Sequence, residues 1–199
     1  NELRTAIEEK NKENNKSRIV AGYCWEWPND KNRSNDDDKN IKIPQYNFEM
    51  SWNLSGGESF AIGEHTVKQA GCIHTTQGLE FDYVGVIIGD DMRYDNEKVI
   101  TDFTKRASTD RSLWGIKSMY KKDRENALKV ADEIIKNTYR TLMTRGMKGC
   151  YVYCTDKNLS KYLKSRLNGN DNNIIYAVSE DQEDYNMKVA EEESEYKYK

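Results

Sequence analysis

Apolar positions along the chain fall into two rhythms. From Ala127 they recur at helical spacing: Ala127, Leu128, Ala131, Ile134, Ile135, Tyr139 and Leu142 predict one long amphipathic helix. Leu159, Tyr162, Leu163 and Leu167 repeat the pattern over 157–167, and residues 1–16 favour a polar helix with a thin apolar edge, Leu3 and Ile7. Elsewhere the apolar residues run almost continuously. "SRIVAGYCWEW" (17–27) reads as a buried strand ended by Pro28. Val67 to Thr76 reads as a second strand and "YVGVIIG" (83–89) as a third, covered on both faces. "CYVYCTD" (150–156) reads as a fourth. "IKIPQYNFEMSWNL" (41–54) alternates around Pro44 and suits an edge strand. Residues 90–101 suggest a hairpin or loop excursion, and 103–123 an insertion of mixed, basic character. Strands separated by helical stretches predict an α/β fold: a mostly parallel β-sheet with helices on both faces.

Composition narrows this picture. The chain has 199 residues, enough for one α/β domain, but only 36% are hydrophobic and 33% are charged. Some of the length is therefore expected in loop or tail: 29–40 as a solvated loop, and 168–199 as an acidic, partly disordered extension after a domain spanning 1–167. The net charge of −3 excludes a globally basic nucleic-acid binder, so any such contact must come from a local strip. No apolar run approaches the roughly 18–20 residues of a membrane helix, and no signal-peptide pattern opens the chain. We expect no membrane partner and a cytoplasmic location. The chain opens on Asn1, not Met, which suggests a piece of something longer. Cys150 and Cys154 lie on an expected strand, where four residues span roughly 13 Å. That is too far for two ligands that must each come within about 2.3 Å of one zinc, and buried thiols are the better reading.

Two stretches carry candidate chemistry. In "CIHTTQGLEFDYVGVIIG" an apolar strand runs into His74, Thr75, Thr76, Gln77, Gly78 and Glu80 before the next strand begins. Short polar groups of this kind bond phosphate oxygens of a nucleic-acid backbone, while an ionised glutamate, an acceptor only, suits sugar hydroxyls. The same residues also fit a plain polar turn in which Thr76 caps and Gln77 satisfies the backbone. In "NTYRTLMTRGMKGCYVYC" a helix ends in Thr144-Arg145-Gly146 before a strand. Arg145 suits a helix C-terminus electrostatically. It equally suits a phosphate across a cleft, because its fork is planar, always charged and bidentate.

Taken as a pair, these stretches resemble motifs V and VI of superfamily 1 helicases. More closely, "GYCW", "CIHTTQGLEFDYVGVIIG" and "NTYRTLMTRGMKGCYVYC" resemble the Schlafen group 3-like DNA/RNA helicase domain family over roughly residues 15–167. The resemblance implies the second RecA-like domain of a P-loop NTPase, one half of a nucleic-acid-dependent ATPase. By the family pattern Glu80 binds the nucleotide ribose, with Gln77 and Gly78 at the domain interface. His74, Thr75 and Thr76 face single-stranded DNA or RNA. Arg145 is the arginine finger, Thr144 positions it, and Arg140 lines the same cleft. ATP and magnesium are then bound jointly with a first RecA-like domain, which is not in this chain.

The departures from a complete motor agree with that division. There is no Gly-Lys dipeptide and so no phosphate loop. Asp90 and Asp91 after an apolar strand mimic a Walker B acid, but they follow the motif V block, where no magnesium ligand is expected. Arg18 and Tyr23 are candidates for a phosphate contact near the first strand. Lys105, Arg106, Arg111, Lys117, Lys121 and Lys122, interleaved with Trp114 and Tyr120, suit a strand-tracking surface or a solvated helix with two anchoring aromatics. The alternative to a motor half is a degenerate RecA-like module that binds nucleic acid or protein without hydrolysing ATP. Alone, the chain is expected to hydrolyse essentially none.

Overall fold

The structure is a computed structural model that describes residues 1–26, 39–54 and 57–167, with Gly57 and Glu58 as backbone only. The expected loop at 29–40 falls almost wholly outside the described residues, as do the extension 168–199 and its apolar run at 174–178. Among the described residues the α-helices and strands follow in order: α1 (Glu2–Asn14), β1 (Ser17–Ala21), β2 (Ile41–Ile43), β3 (Phe48–Trp52), α2 (Gly57–Ile62), β4 (Gln69–Gly71), β5 (Phe81–Ile88), β6 (Met92–Asp95), β7 (Lys98–Thr101), α3 (Ile116–Lys122), α4 (Arg124–Met143), β8 (Gly146–Cys154) and α5 (Lys157–Leu167).

Six strands form one sheet in the order β2-β3-β4-β1-β5-β8. All are parallel except the edge strand β2, which is antiparallel to β3. Strand β1 lies between β4 and β5, and β5 carries its register on to β8. Because successive strand residues point to opposite faces, β5 feeds two cores. Ile87 packs with Leu3 and Ile7 of α1, Ile19 and Ala21 on one face. Val84, Val86 and Ile88 pack with Ile135, Tyr139 and Leu142 of α4 and Leu159 of α5 on the other. Helix α4 starts where the Asp123 carboxylate accepts from the Asn126 backbone N–H at 3.1 Å, a side-chain cap. A small third cluster joins α4 to Leu113 and Ile116. The hairpin β6–β7 stands apart from the main sheet and stacks Tyr94 on Tyr162 of α5, ring centroids 4.2 Å apart. No described helix is long and apolar enough to cross a membrane.

Several expected elements are shorter than their apolar runs. The strand at 17–27 ends at Ala21, because Cys24 turns back to donate to the Gly22 carbonyl. Pro44 opens a 3-10 turn, Pro44–Tyr46, closed by Asn47 at φ 47°, so 41–54 becomes a hairpin of which β2, not β3, lies at the sheet's edge. The strand expected over 67–76 is three residues long. Val67 sits in a 3-10 turn, Glu64–Lys68, and from Cys72 the chain is already turning. In α4, Leu128 leaves the predicted apolar stripe and is 43% exposed. The basic stretch 103–123 folds as two Asp-capped 3-10 turns, Phe103–Lys105 and Arg111–Leu113, followed by α3.

Candidate functional site

Strands β5 and β8 begin side by side, with Phe81 opposite Gly146. The residues just before them are Glu80 and Arg145, so the two stretches singled out in the sequence meet at the amino edge of the sheet. The Phe81 N–H donates to the Arg145 carbonyl at 2.8 Å and fixes one segment against the other. Arg145 follows the last turn of α4, and its half-buried side chain folds back over that turn. Nε donates to the Thr141 carbonyl at 3.3 Å and Nη1 to the Leu79 carbonyl at 3.3 Å. Among the described residues no carboxylate pairs with it. Glu80 is exposed, and no described residue bonds to its carboxylate. An arginine and a glutamate thus share one edge without neutralising each other. Thr144 is exposed, its hydroxyl donating to the Thr141 carbonyl at 3.0 Å, and Arg140 is exposed one turn earlier.

The segment 72–80 connects two edges. It leaves the carboxyl end of β4 and arrives at the amino end of β5, so only its first residues lie beyond the carboxyl ends of the strands. The polar row divides along the way. Thr75 and Thr76 are buried. The Thr75 hydroxyl donates to Asn53 Oδ1, close to the Cys72 sulfur, and the Thr76 hydroxyl donates to the Cys72 carbonyl at 3.0 Å. These hydroxyls hold the turn. His74 and Gln77 are exposed, with the His74 ring edge-on to Tyr23 at 6.3 Å. Gly78 has φ +75°, a left-handed conformation that an L side chain rarely adopts, and an added Cβ would meet nothing within 4 Å. Its requirement is the backbone angle, not the space.

The Schlafen group 3, DNA/RNA helicase domain family matches residues 1–156. The chain belongs to that family. It is also 29% identical over 161 residues to an uncharacterized protein of Saccharomyces cerevisiae, an alignment covering 79% of this chain and 33% of the yeast protein. The chain therefore spans about a third of that relative's length. No solved structure matches it at a significant level.

Two buried charge systems in this Schlafen group 3 domain were not legible as such in the sequence. The first lies where β5 ends. Arg106 stands between Asp91, at 3.0 Å, and Asp110, at 2.6 Å, with all three side chains no more than 1% exposed. Tyr139 of α4 donates its hydroxyl to the other oxygen of Asp91 and accepts the Gly89 N–H at 3.1 Å. Cys24 Sγ lies 3.8 Å from the same hydroxyl. Burial pushes the Tyr139 hydroxyl and the Cys24 thiol well up, and the negative Asp91 pushes the same way. Burial works against the charge on Arg106, but Asp110 and Asp91 outweigh it and raise its pKa. Asp91 is therefore a structural partner, and its likeness to a Walker B acid is a coincidence of pattern. Arg106 likewise leaves the basic strip.

The second system is Arg18, fully buried in β1. Its guanidinium donates to the carbonyls of Phe60, Ala61, Gly63, Asn15 and Ser17 and to the side-chain oxygens of Asn11 and Asn15. It ties α1 to α2. Burial lowers its pKa to about 10, which leaves it charged at neutral pH. Neither Arg18 nor Tyr23, 2% exposed, is free to meet a phosphate. The available signal was position: an arginine inside a strand buried along its whole length must be bonded internally. The cysteines are free thiols, Cys72 and Cys154 buried, and burial holds Cys150 and Cys154 at about 12.

Proposed function

We propose that this chain is the second RecA-like domain of a superfamily 1 helicase-like, nucleic-acid-dependent ATPase. It works with a first RecA-like domain outside these 199 residues. The observation that carries the reading is the pairing of Glu80 and Arg145 on one sheet edge, each with a charged group that no described side chain neutralises. Family membership gives the direction of the inference, and the geometry supplies residues that suit it.

The residues fit a share of ATP. Glu80, an acceptor in solvent, suits the ribose hydroxyls. Arg145, half-buried with its guanidinium resting on two carbonyls, suits the terminal phosphate once the domains close. Thr144 and Arg140 flank it, and Gln77 and Gly78 sit on the exposed turn that would meet the first domain. ATP supplies the phosphoryl group, and Arg145 neutralises charge that grows as that group departs, an effect worth roughly 10³–10⁵ in rate in other nucleotide hydrolases. The described residues offer magnesium no cluster of three or more acidic, histidine or cysteine ligands, and Asp91 is already bonded to Arg106 and Tyr139. In this reading the magnesium ligands come from the first domain. Toward the carboxyl edge, His74 faces single-stranded DNA or RNA, on a turn held by Thr75 and Thr76.

ATP turnover by the full-length protein, with and without single-stranded DNA or RNA, tests this reading. Turnover stimulated by a strand supports it. No turnover with any strand overturns hydrolysis and leaves a module that binds nucleic acid or protein without it.

A further inference from the structure

The opposite edge of the sheet, away from Glu80 and Arg145, carries a crevice. Across the parallel strands, the chain leaves β1 toward β3 and β4 on one side, and leaves β5 toward β8 on the other. In open α/β sheets the crevice outside the carboxyl ends at such a reversal is where ligands bind. Here a cavity of about 220 Å³ lies at that place. Trp25 lines it after β1, Asp90 after β5 and Thr155 after β8, with Lys42 and Pro44 from the edge hairpin and Lys105 from the stretch after β7.

These groups are not engaged with one another. Lys105 and Asp90 make no ion pair among the described residues. Lys42 touches Glu49 only at 3.9 Å, with both side chains more than half exposed, a contact of little strength. The Thr155 hydroxyl is buried and finds no hydrogen-bond partner among the described residues, a rare condition that calls for one. Trp25 is half-buried and steadied by Trp52, ring centroids 6.5 Å apart. Two ammonium groups suit a phosphate, an indole suits a planar ring, and a carboxylate and a hydroxyl suit sugar hydroxyls or base N–H groups. Free phosphate would leave the indole unused and face the Asp90 carboxylate. The cavity is smaller than the roughly 300–1,000 Å³ of drug-sized sites, so it takes one such unit and not a run.

We propose that this crevice seats a single nucleotide unit, with Lys42 and Lys105 on the phosphate and Trp25 against the base. His74 leans on Tyr23, two residues before Trp25, so the crevice and the exposed part of the turn lie on one edge. A strand crossing that edge would place one nucleotide in the crevice. The inference rests on the nucleic-acid half of the proposed function and is independent of Glu80 and Arg145. The same chemistry comes from a residue of a single strand or from a free mononucleotide.

The test uses the 199-residue chain with fluorescently labelled oligo(dT) and oligo(rU), and AMP as a competitor. The double variant Lys42→Ala/Lys105→Ala should bind about tenfold more weakly and lower the salt slope by about 0.7 for each lost contact. A control with the same charge change, Lys12→Ala/Lys129→Ala on α1 and α4, should change little. Ligand should quench tryptophan fluorescence in the wild type and not in Trp25→Phe, which keeps the aromatic packing. If AMP displaces the strand, the crevice also takes the free nucleotide; if only strands bind, it serves the strand. Equal weakening by both double variants, or a quench that survives Trp25→Phe, overturns the crevice while leaving the proposed function standing. A wild type that binds neither strand nor AMP overturns the crevice and the nucleic-acid half of that function together.

Discussion

Arg106 shows how a charged residue becomes structural. With 1% exposure it can remain ionised only because Asp91 and Asp110 close on it from either side. Arg106→Met would leave two carboxylates buried and facing each other, so we expect a loss of about 3–5 kcal/mol in chemical denaturation. An unchanged midpoint would show that solvent reaches the cluster. At the surface the same chemistry is weaker. The side-chain bonds from Lys148 and Asn14 hold the Asp82 carboxyl below the usual carboxylate range. A depressed acid lends stability above its unfolded pKa, and that stability fades as pH falls through the lower, folded value. Lys148→Met should therefore raise the Asp82 pKa in an NMR titration, shrink this contribution and move the pH at which its loss is complete upward, toward the unfolded value. The charges that the sequence hid have partners that are partly local and partly distant: Arg18 bonds residues from 11 to 63, and Arg106 bonds both Asp110 and Asp91. Residue type gave no sign of it. Position inside a buried strand did so only for Arg18.

At the scale of elements, the segment 72–80 matters most. It is a turn that carries the chain from the end of β4 to the start of β5, stabilised from within by Thr75 and Thr76 and bent at Gly78. Gly78→Ala should cost about 1–2 kcal/mol through backbone angle alone, since the new methyl group has open space. A neutral result in a denaturation series would mean that the turn relaxes to a negative φ. Helices α4 and α5 were legible in the sequence because a 3.6-residue period repeats several times in each, and β5 because its run is long and apolar. Strand β4 was legible as a strand but not in its bounds, since three residues leave no alternation to read. For the site, the sequence showed which residues belong together but not which way they face. His74 and Thr75 look alike as polar neighbours, yet one is exposed and the other is bonded to Asn53, a residue at the end of another strand.

At the scale of the molecule, the sheet carries a candidate site at each of two edges. The amino edge holds Glu80 and Arg145, and the carboxyl edge holds the crevice near Trp25. In the proposed function neither edge is a complete nucleotide hydrolase: the sequence holds no Gly-Lys dipeptide for a phosphate loop, and Asp91 is bonded to Arg106 and Tyr139. The 199-residue chain alone should hydrolyse no ATP, and turnover above background from it would place the catalytic groups within these residues. In the proposed function Arg145 completes a site built by another domain. The measurement that tests it most directly is strand-stimulated ATP turnover by the full-length protein beside its Arg145→Ala variant, with strand affinity followed in parallel. A fall in kcat of about a thousandfold or more is expected, with strand binding retained. Turnover that persists in Arg145→Ala would contradict it.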